Sequence, residues 1–183
     1  MSTFAPAATT TPNADEPQFK SVRARGTWQT RMTTDVSIRD FEFRTDEPEP
    51  AGGTNSAPTP MEFIAGALNG CITVVIESVA AELNLSLRAL DTASHAHMDV
   101  RGFHGTADVS PHFHDYALTI QIDVDADDSQ RAELVRLSEK RCPAINLVRD
   151  AGVDFTIDWQ FVQAAQVPVV NHVSATQSTG IEQ

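Results

Sequence analysis

The sequence predicts an α+β fold, and three patterns lead to this prediction. Residues 19–32 and 36–43 alternate apolar and polar side chains, as a half-buried antiparallel strand pair does. Residues 61–83 are apolar over the length of a long helix, and two further strand patterns cover 87–103 and 113–124. Strands that enclose a helix, followed by helices and a last strand, are typical of the α+β class.

The long helix has a recognisable start. Thr59 can act as its N-cap, Pro60 suits the first helical position, and Glu62 completes a capping box. Apolar residues occupy almost every face of this helix, so we expect it to be buried on all sides. A single chain of 183 residues has little other structure to cover it, which favours a second copy of the chain as partner.

The C-terminal part of the sequence predicts two helices and a strand. Residues 129–141 have the pattern of an amphipathic helix. The dipeptide Cys142-Pro143 breaks that helix and begins a short second one that runs through Arg149. Gly152 ends the second helix, and residues 153–162 form the last predicted strand.

The pattern indicates one domain with two polar flanks. Residues 1–18 are rich in Ala, Thr and Pro and are predicted to be a disordered arm. Residues 19–163 form the predicted domain, and residues 164–183 form a polar tail. Within the domain, residues 45–60 carry prolines and a Gly-Gly pair, which predicts a loop.

Composition excludes several functional classes. The chain has 25 acidic and 13 basic residues, a formal charge of −12, and no basic run of the kind that nucleic-acid or anionic-membrane binders carry. It has neither a secretory signal pattern nor a stretch of roughly 18 apolar residues. We therefore expect a cytoplasmic protein. Glycine-rich phosphate loops and nucleophile elbows are absent from the sequence, so no nucleotide cofactor is expected.

The two cysteines have different sequence surroundings. Cys71 lies in the middle of the long helix among apolar or small residues, none of which would activate it. Cys142 lies at a helix start directly after Lys140 and Arg141, a setting that predicts a lowered thiol pKa. The alternative for either cysteine is a small, inert core residue.

Histidines cluster in one part of the chain. His95 and His97 form one His-x-His pair, His112 and His114 form another, and His104 lies between them. Alternate residues of a strand share a face, so each pair could hold a metal ion. The interpretation we favour is a solvated end of a β-hairpin, because His-x-His alone is a loose pattern.

Several short segments, taken together and in this order, resemble the OsmC/Ohr family. The resemblance covers roughly residues 20–162 and implies an α+β homodimer in which two intertwined chains wrap antiparallel sheets around long central helices. The segments are Asp46-Glu47-Pro48, Gly52-Gly53, Pro58-Thr59-Pro60-Met61-Glu62-Phe63, Ala67-Leu68-Asn69-Gly70-Cys71 and Arg141-Cys142-Pro143-Ala144.

The resemblance also implies a chemistry. Peroxidase members of the family reduce organic hydroperoxides with two cysteines and no cofactor. By position, Cys71 would be the cysteine that attacks the peroxide, and Cys142 would resolve the resulting sulfenic acid as a disulfide. A dithiol, of lipoyl type in the family, would then restore both thiols by exchange.

The carboxylate of the family's site is missing from its usual position. Peroxidase members have a glutamate directly after the proline that opens the helix, and here Met61 occupies that position. Glu62 is the neighbouring candidate, but it precedes Cys71 by nine residues, about 13 Å along a straight helix and on nearly the opposite face. Glu62 would therefore have to serve the cysteine of the partner chain. Glu47, in the preceding loop, is a further candidate.

The arginine of the family's site can be assigned only as a candidate. Arg31, three residues after Trp28 at the end of the first predicted strand, is the first choice, and Arg39 is the second. Arg23 and Arg25 share one strand face and are expected to be solvated.

A second function remains open at this point. With Met61 in place of the glutamate, the pocket beside the cysteine is more apolar than in the peroxidases. The alternative is therefore an OsmC-like protein without peroxidase activity that binds a small apolar ligand at the dimer interface.

Overall fold

The computed structural model describes residues 16–163. Most of the predicted arm, residues 1–18, and the whole predicted tail, residues 164–183, lie outside the described residues. The chain divides into two compact units between Thr59 and Pro60.

The N-terminal unit is a three-stranded antiparallel sheet. Its strands are β1 (Arg25–Thr30), β2 (Thr33–Ile38) and β3 (Phe41–Thr45), in that order. The sequence predicted two strands, and the second of them is divided by a tight turn at Arg39, where φ is +56°. A left-handed residue in a two-residue turn reverses the chain without a glycine, so the pattern of apolar residues gives no sign of the break.

A buried carboxylate organises the loop that follows β3. Asp46 is fully buried, and its Oδ2 accepts hydrogen bonds from the amide and hydroxyl groups of both Thr54 and Ser56. Thr33 donates to the other oxygen at 3.3 Å. Gly53 fits beside this cage because a Cβ there would lie 1.8 Å from the carbonyl oxygen of Glu47. Residues 46–59 therefore form a loop with a defined hydrogen-bonded structure, although its one regular element is a turn of 3-10 helix, Glu49–Ala51.

The C-terminal unit contains the long helix, a second sheet and the two helices that were predicted near the C-terminus. The elements are α1 (Pro60–Glu82), β4 (Ser86–Met98), α2 (Val100–His104), β5 (Phe113–Asp125), α3 (Asp128–Arg141), α4 (Pro143–Asp150) and β6 (Asp154–Phe161). The prediction that the long helix begins at Pro60 is confirmed. The capping box of Thr59 and Glu62 stays a prediction.

The strand predicted over residues 87–103 ends at Met98, and a short helix replaces its last part. Asp99 caps this helix because its side chain accepts a hydrogen bond from the Arg101 amide. Gly102 packs too tightly for a side chain, since a Cβ would lie 2.6 Å from the carbonyl oxygen of Val109. Local capping therefore overrides the strand pattern here.

The second sheet has the order β4-β5-β6 and is not wholly antiparallel. Strands β4 and β5 form an antiparallel hairpin, whereas β6 pairs with β5 in parallel. The family resemblance led us to expect antiparallel sheets, and β6 is the exception. The reason is its connection: α3 and α4 carry the chain back along the sheet, as a parallel pair requires.

One hydrophobic core joins α1, α3 and α4 to the sheet. Helix α1 contributes one buried face, formed by Leu68, Ile72, Ile76, Val79 and Ala80. On the opposite face Val74 is 65% exposed in the single chain, and Ile64, at the edge of the buried face, is 47% exposed. The expectation of burial on all sides therefore does not hold within one chain.

Helix α1 also has the length and apolar character of a membrane span. Among residues 16–163 it is the one helix that meets this test, which core helices of soluble proteins also meet. Polar residues such as Asn69 and Glu77 interrupt the helix, so it contains no uninterrupted run of roughly 18 apolar residues. Its mean hydropathy stays high because its polar residues are few.

Candidate functional site

The two cysteines meet inside the C-terminal unit. Cys71 lies in the middle of α1, and Cys142 lies between α3 and α4. The Sγ atom of Cys142 donates a hydrogen bond to the Sγ atom of Cys71, at 3.7 Å. Both thiols are free. Cys142 is fully buried, whereas Cys71 is partly exposed, so a molecule from solvent can reach only Cys71 without a change in structure.

The position of Cys142 results from the corner between two helices. Its backbone is extended, with φ −73° and ψ 112°, so that it ends α3 and also precedes α4. Its amide still donates to the carbonyl oxygen of Ser138 at 3.0 Å, which is the last hydrogen bond of α3. Pro143 follows at the first position of α4, where a missing amide hydrogen costs nothing.

One side chain spans this corner. Asn146 Nδ2 donates to the carbonyl oxygens of Cys142 at 2.8 Å, Lys140 at 3.1 Å and Glu139 at 3.3 Å. The Asn146 amide also donates to the Cys142 oxygen, at 3.1 Å. The last carbonyl groups of α3, which have no partners within their helix, thus find donors in the first turn of α4.

Burial raises the pKa of the Cys142 thiol, and this corrects the prediction of a lowered pKa. The amides of Ile145 and Ala144, at the start of α4, lower that pKa in part, but the hydrogen bond to Cys71 raises it further. The expected cation Arg141 pairs with Glu82 at the end of α1. Cys142 is therefore a protonated hydrogen-bond donor at neutral pH and not an activated thiol.

Polar contacts on either side of the cysteine pair fix its supporting elements. Glu139 of α3 accepts from the indole of Trp159 at 3.0 Å and from Arg149 of α4. On the sheet side of α1, the Tyr116 hydroxyl donates to Ser94 at 2.8 Å, and Ser94 donates to Asn69.

The candidate arginines belong to the N-terminal unit. Arg31 begins the turn after β1 with φ +50°, its carbonyl oxygen accepts from the Trp28 indole at 2.9 Å, and its Nε donates to the Gly52 carbonyl oxygen at 3.1 Å. Arg39 occupies the next turn with its guanidinium 5.0 Å from the centre of the Phe41 ring. Arg23 and Arg25 are exposed, as expected.

Of the two candidate carboxylates, Glu62 lies in the first turn of α1 and Glu47 lies in the N-terminal unit. This helix is continuous from Pro60 to Glu82, so Glu62 is separated from Cys71 of its own chain by about 13 Å along the axis. Glu62 is exposed, whereas Met61 packs at the edge of the core. Glu47 lies in the N-terminal unit, where its carbonyl oxygen accepts from the Asn55 amide.

The histidines lie at one end of the β4–β5 hairpin, as expected. His97 and His114 both contact Asp115, at 2.7 and 3.3 Å, and the rings of His95 and His97 are 4.6 Å apart. Across residues 16–163 there is no group of three or more His, Cys, Asp or Glu side chains that could hold a metal ion. None of these histidines therefore belongs to such a group within the described part of the single chain.

Sequence reasoning missed three residues that shape these units. The buried role of Asp46 was not predicted, although Thr54 and Ser56 in the same loop are donors suited to a buried carboxylate. Asn146 follows Cys142 by four residues, a spacing that allows contact across a helix start. Ser138, which is buried and whose hydroxyl has no partner among residues 16–163, carried no signal because it resembles any polar position of an amphipathic helix.

Comparison with known proteins points to one family. A family model described as OsmC-like protein matches residues 53–158, which is more than half of the chain. This range contains both cysteines and most of α1 to β6. No protein with a curated description matches the sequence.

Solved structures resemble the chain over most of its length. An OsmC-like protein from Mycoplasma pneumoniae is 14% identical with a TM-score of 0.66, and the match covers 80% of this chain and 99% of that one. An organic hydroperoxide resistance protein OsmC from Legionella pneumophila is 18% identical, with a TM-score of 0.59 and coverages of 79% and 99%. An organic hydroperoxide resistance protein from Elizabethkingia anophelis is 14% identical, with a TM-score of 0.62 and coverages of 80% and 100%. These likenesses establish an OsmC-like fold.

Proposed function

The chain belongs to the OsmC family, and from that membership we propose that it is a thiol-dependent peroxidase that reduces organic hydroperoxides. The observation that carries the proposal is the contact of 3.7 Å between a partly exposed Cys71 and a buried, protonated Cys142. Similar structures named organic hydroperoxide resistance proteins support the same class of substrate.

The first step is oxidation of Cys71. Its thiolate attacks one oxygen of the hydroperoxide, the O–O bond breaks, and the departing alkoxide takes up a proton to become an alcohol. The sulfur is oxidised to a sulfenic acid while the peroxide is reduced. Cys71 has this role because it is the accessible member of the pair, and because Cys142 keeps its proton.

The second step is closure of a disulfide. The sulfur of Cys142 attacks the Cys71 sulfenic acid, the S–O bond breaks, and the thiol proton of Cys142 leaves with the hydroxide as water. The step balances without an external acid or base. Because the two Sγ atoms are already 3.7 Å apart, closure to about 2 Å requires a small movement.

The third step restores the thiols. A dithiol reductant, of lipoyl type by family resemblance, exchanges with the Cys71–Cys142 disulfide and leaves as a cyclic disulfide. The cycle uses no bound cofactor, and a cytoplasmic location would supply reducing partners of this kind.

The active form proposed here is a homodimer. Helix α1 leaves an apolar face exposed in the single chain, with Val74 at 65%, and a second copy would cover it. A dimer would also allow Glu62 of one chain to serve Cys71 of the partner, which its own chain forbids along a straight helix. Arg31 is the proposed cation of the site.

Met61 supports a second candidate function. It packs against the core at the position where peroxidase members carry a glutamate. An apolar side chain there favours binding of a small apolar ligand at the dimer interface, without redox chemistry. Binding of that kind would not depend on the Cys71 sulfur.

Titration of thiols after one equivalent of cumene hydroperoxide separates the two functions. For the peroxidase, we expect rapid loss of both thiols and a Cys71–Cys142 disulfide in peptide mass spectra. Cys142→Ser should lose one thiol and form a trappable sulfenic acid, whereas Cys71→Ser should keep its thiol. Thiols that persist for many minutes in the parent protein would exclude the peroxidase and turn attention to apolar ligands.

A further inference from the structure

The side chain of Asn146 bridges the corner between α3 and α4. Its Nδ2 group contacts the carbonyl oxygens of Glu139, Lys140 and Cys142, and the shortest of these contacts, 2.8 Å, is to Cys142 itself. The Asn146 amide makes a second hydrogen bond to the same Cys142 oxygen. One residue therefore holds the peptide group of Cys142 through two donors.

Asn146 is the described partner of the carbonyl side of Cys142. Cys142 is extended, so it belongs to neither helix, and its own amide is bound back to Ser138. Pro143 cannot donate a hydrogen bond that would continue α3. Among the described contacts, the carbonyl side of Cys142 is bound by Asn146 alone.

We infer that Asn146 is a positioning residue that keeps Cys142 within bonding reach of Cys71, so that the disulfide closes before a second peroxide oxidises the sulfenic acid. This inference rests on the proposed function. It concerns the second step of the cycle only, since Asn146 contacts the backbone of Cys142 and no atom of Cys71 among its described bonds.

The physical argument is one of effective concentration. Disulfide closure is intramolecular, and its rate depends on how often the Cys142 sulfur approaches the Cys71 sulfur in line. Cys71 lies on a continuous helix, so we expect the position of Cys142, at the corner, to vary more than that of Cys71. Without the Nδ2 donor, the Cys142 carbonyl group would keep only the Asn146 amide among its described partners, and the carbonyl groups of Glu139 and Lys140 would lose this contact. The corner could then sample Sγ–Sγ distances longer than 3.7 Å. Slower closure leaves the sulfenic acid open to further oxidation to sulfinic acid.

Three variants test this role. Asn146→Ala removes the side-chain donor, and Asn146→Asp keeps the shape but places an acceptor against three carbonyl oxygens. Leu118→Val, in the core of β5, serves as a control that lowers stability without touching the corner. Each protein is mixed with one and with ten equivalents of cumene hydroperoxide, quenched over time, and analysed by mass spectrometry of its cysteine peptides.

For both Asn146 variants we expect closure to slow by roughly tenfold, while sulfenic acid forms on Cys71 at the parent rate. Sulfinic acid should accumulate in these variants at ten equivalents and should stay low in Leu118→Val. Closure at the parent rate in folded Asn146→Ala would overturn the inference.

A second readout separates this inference from the peroxidase proposal. The equilibrium between the Cys71–Cys142 disulfide and a glutathione redox buffer gives the effective concentration of the two thiols without any peroxide. We expect this concentration to fall by roughly tenfold in Asn146→Ala. If the parent protein does not react with peroxide but the equilibrium shifts as expected in Asn146→Ala, the peroxidase proposal fails and the positioning role stands. An unchanged equilibrium would refute the positioning role.

Discussion

Cys142 lies 3.7 Å from Cys71 although 71 positions of the chain separate them. The contact joins the middle of the longest helix to the corner between two short ones, so it depends on the packing of α1 against α3 and α4. No local feature of the sequence brings these two residues together. Their bond, once formed, would close a large loop of chain.

We expect the disulfide to stabilise the C-terminal unit. Closing a loop of this length raises the free energy of unfolding by about 4 kcal/mol in the chain-entropy account, less whatever strain the bond introduces. The measurement is urea unfolding of diamide-oxidised and reduced protein, followed by Trp159 fluorescence in a Trp28→Phe background. Cys142→Ser, which cannot form the bond, is the control, and its free energy of unfolding should be the same after diamide treatment as after reduction. Lower stability in the oxidised protein would mean that closure distorts the corner.

The fold was predictable where local signals and tertiary packing agree. Pro60 and the apolar residues after it predict a helix, and that helix is formed and packed. The prediction was wrong at the hairpin tip, where Asp99 caps α2 and Gly102 packs against Val109. It was also wrong at Arg39, where a turn with positive φ leaves the alternating pattern intact. Both errors come from local backbone geometry at turns and caps, which apolar patterns do not encode.

The contact between the two cysteines was predictable, but its electrostatics were not. Family motifs identify Cys71 and Cys142 as a pair, and the structure brings them together. The neighbours of Cys142 in sequence predicted an activated thiol, whereas burial raises its pKa. Arg141 reaches Glu82, which lies 59 positions earlier, and so it does not act on the thiol beside it. The pairing of Arg141 with a carboxylate so distant in the sequence cannot be inferred from the residues beside Cys142.

Asp46 should make the N-terminal unit sensitive to acid. Hydrogen bonds from Thr54 and Ser56 hold the pKa of Asp46 well below its ordinary value, so the folded state favours the charged form. A depressed pKa contributes stability above the unfolded-state value of about 3.9, and this stability is lost as the pH falls below it.

Thermal unfolding between pH 2.5 and 7 tests the role of Asp46, with Trp28 as reporter in a Trp159→Phe background. Asp46→Asn should be less stable than the parent at pH 7, because an amide cannot accept from all the donors of the cage. Its stability should also vary less with pH. Asp40→Asn, at an exposed turn of the same sheet, should behave like the parent. Equal pH profiles for Asp46→Asn and the parent would contradict the prediction.

Ser138 should tolerate removal of its hydroxyl group. Its Oγ is buried and has no hydrogen-bond partner among the described residues. Ser138→Ala removes the cost of that unmet group, and we expect a gain of about 1 kcal/mol in the free energy of unfolding. Leu134→Ala, one turn earlier on the same helix and fully buried, should cost about 2–5 kcal/mol and thus verifies that the assay detects this helix. A large loss in Ser138→Ala would indicate that the hydroxyl has a partner in the assembled protein.

Val74 provides the test of the proposed homodimer. It is an apolar residue that is 65% exposed on a mostly apolar helix. Exposed apolar surface of this kind is usually covered by a partner. Val74→Lys would place a charge in the buried interface, and an unpaired buried charge is strongly unfavourable. We expect the parent protein to have twice the mass of the chain in size-exclusion chromatography with light scattering, and Val74→Lys to have the mass of one chain. Ala132→Lys, an equivalent change at an exposed position of α3, should remain a dimer. A parent protein that is monomeric at every concentration would refute the dimer and, with it, the assignment of Glu62 to the partner's cysteine.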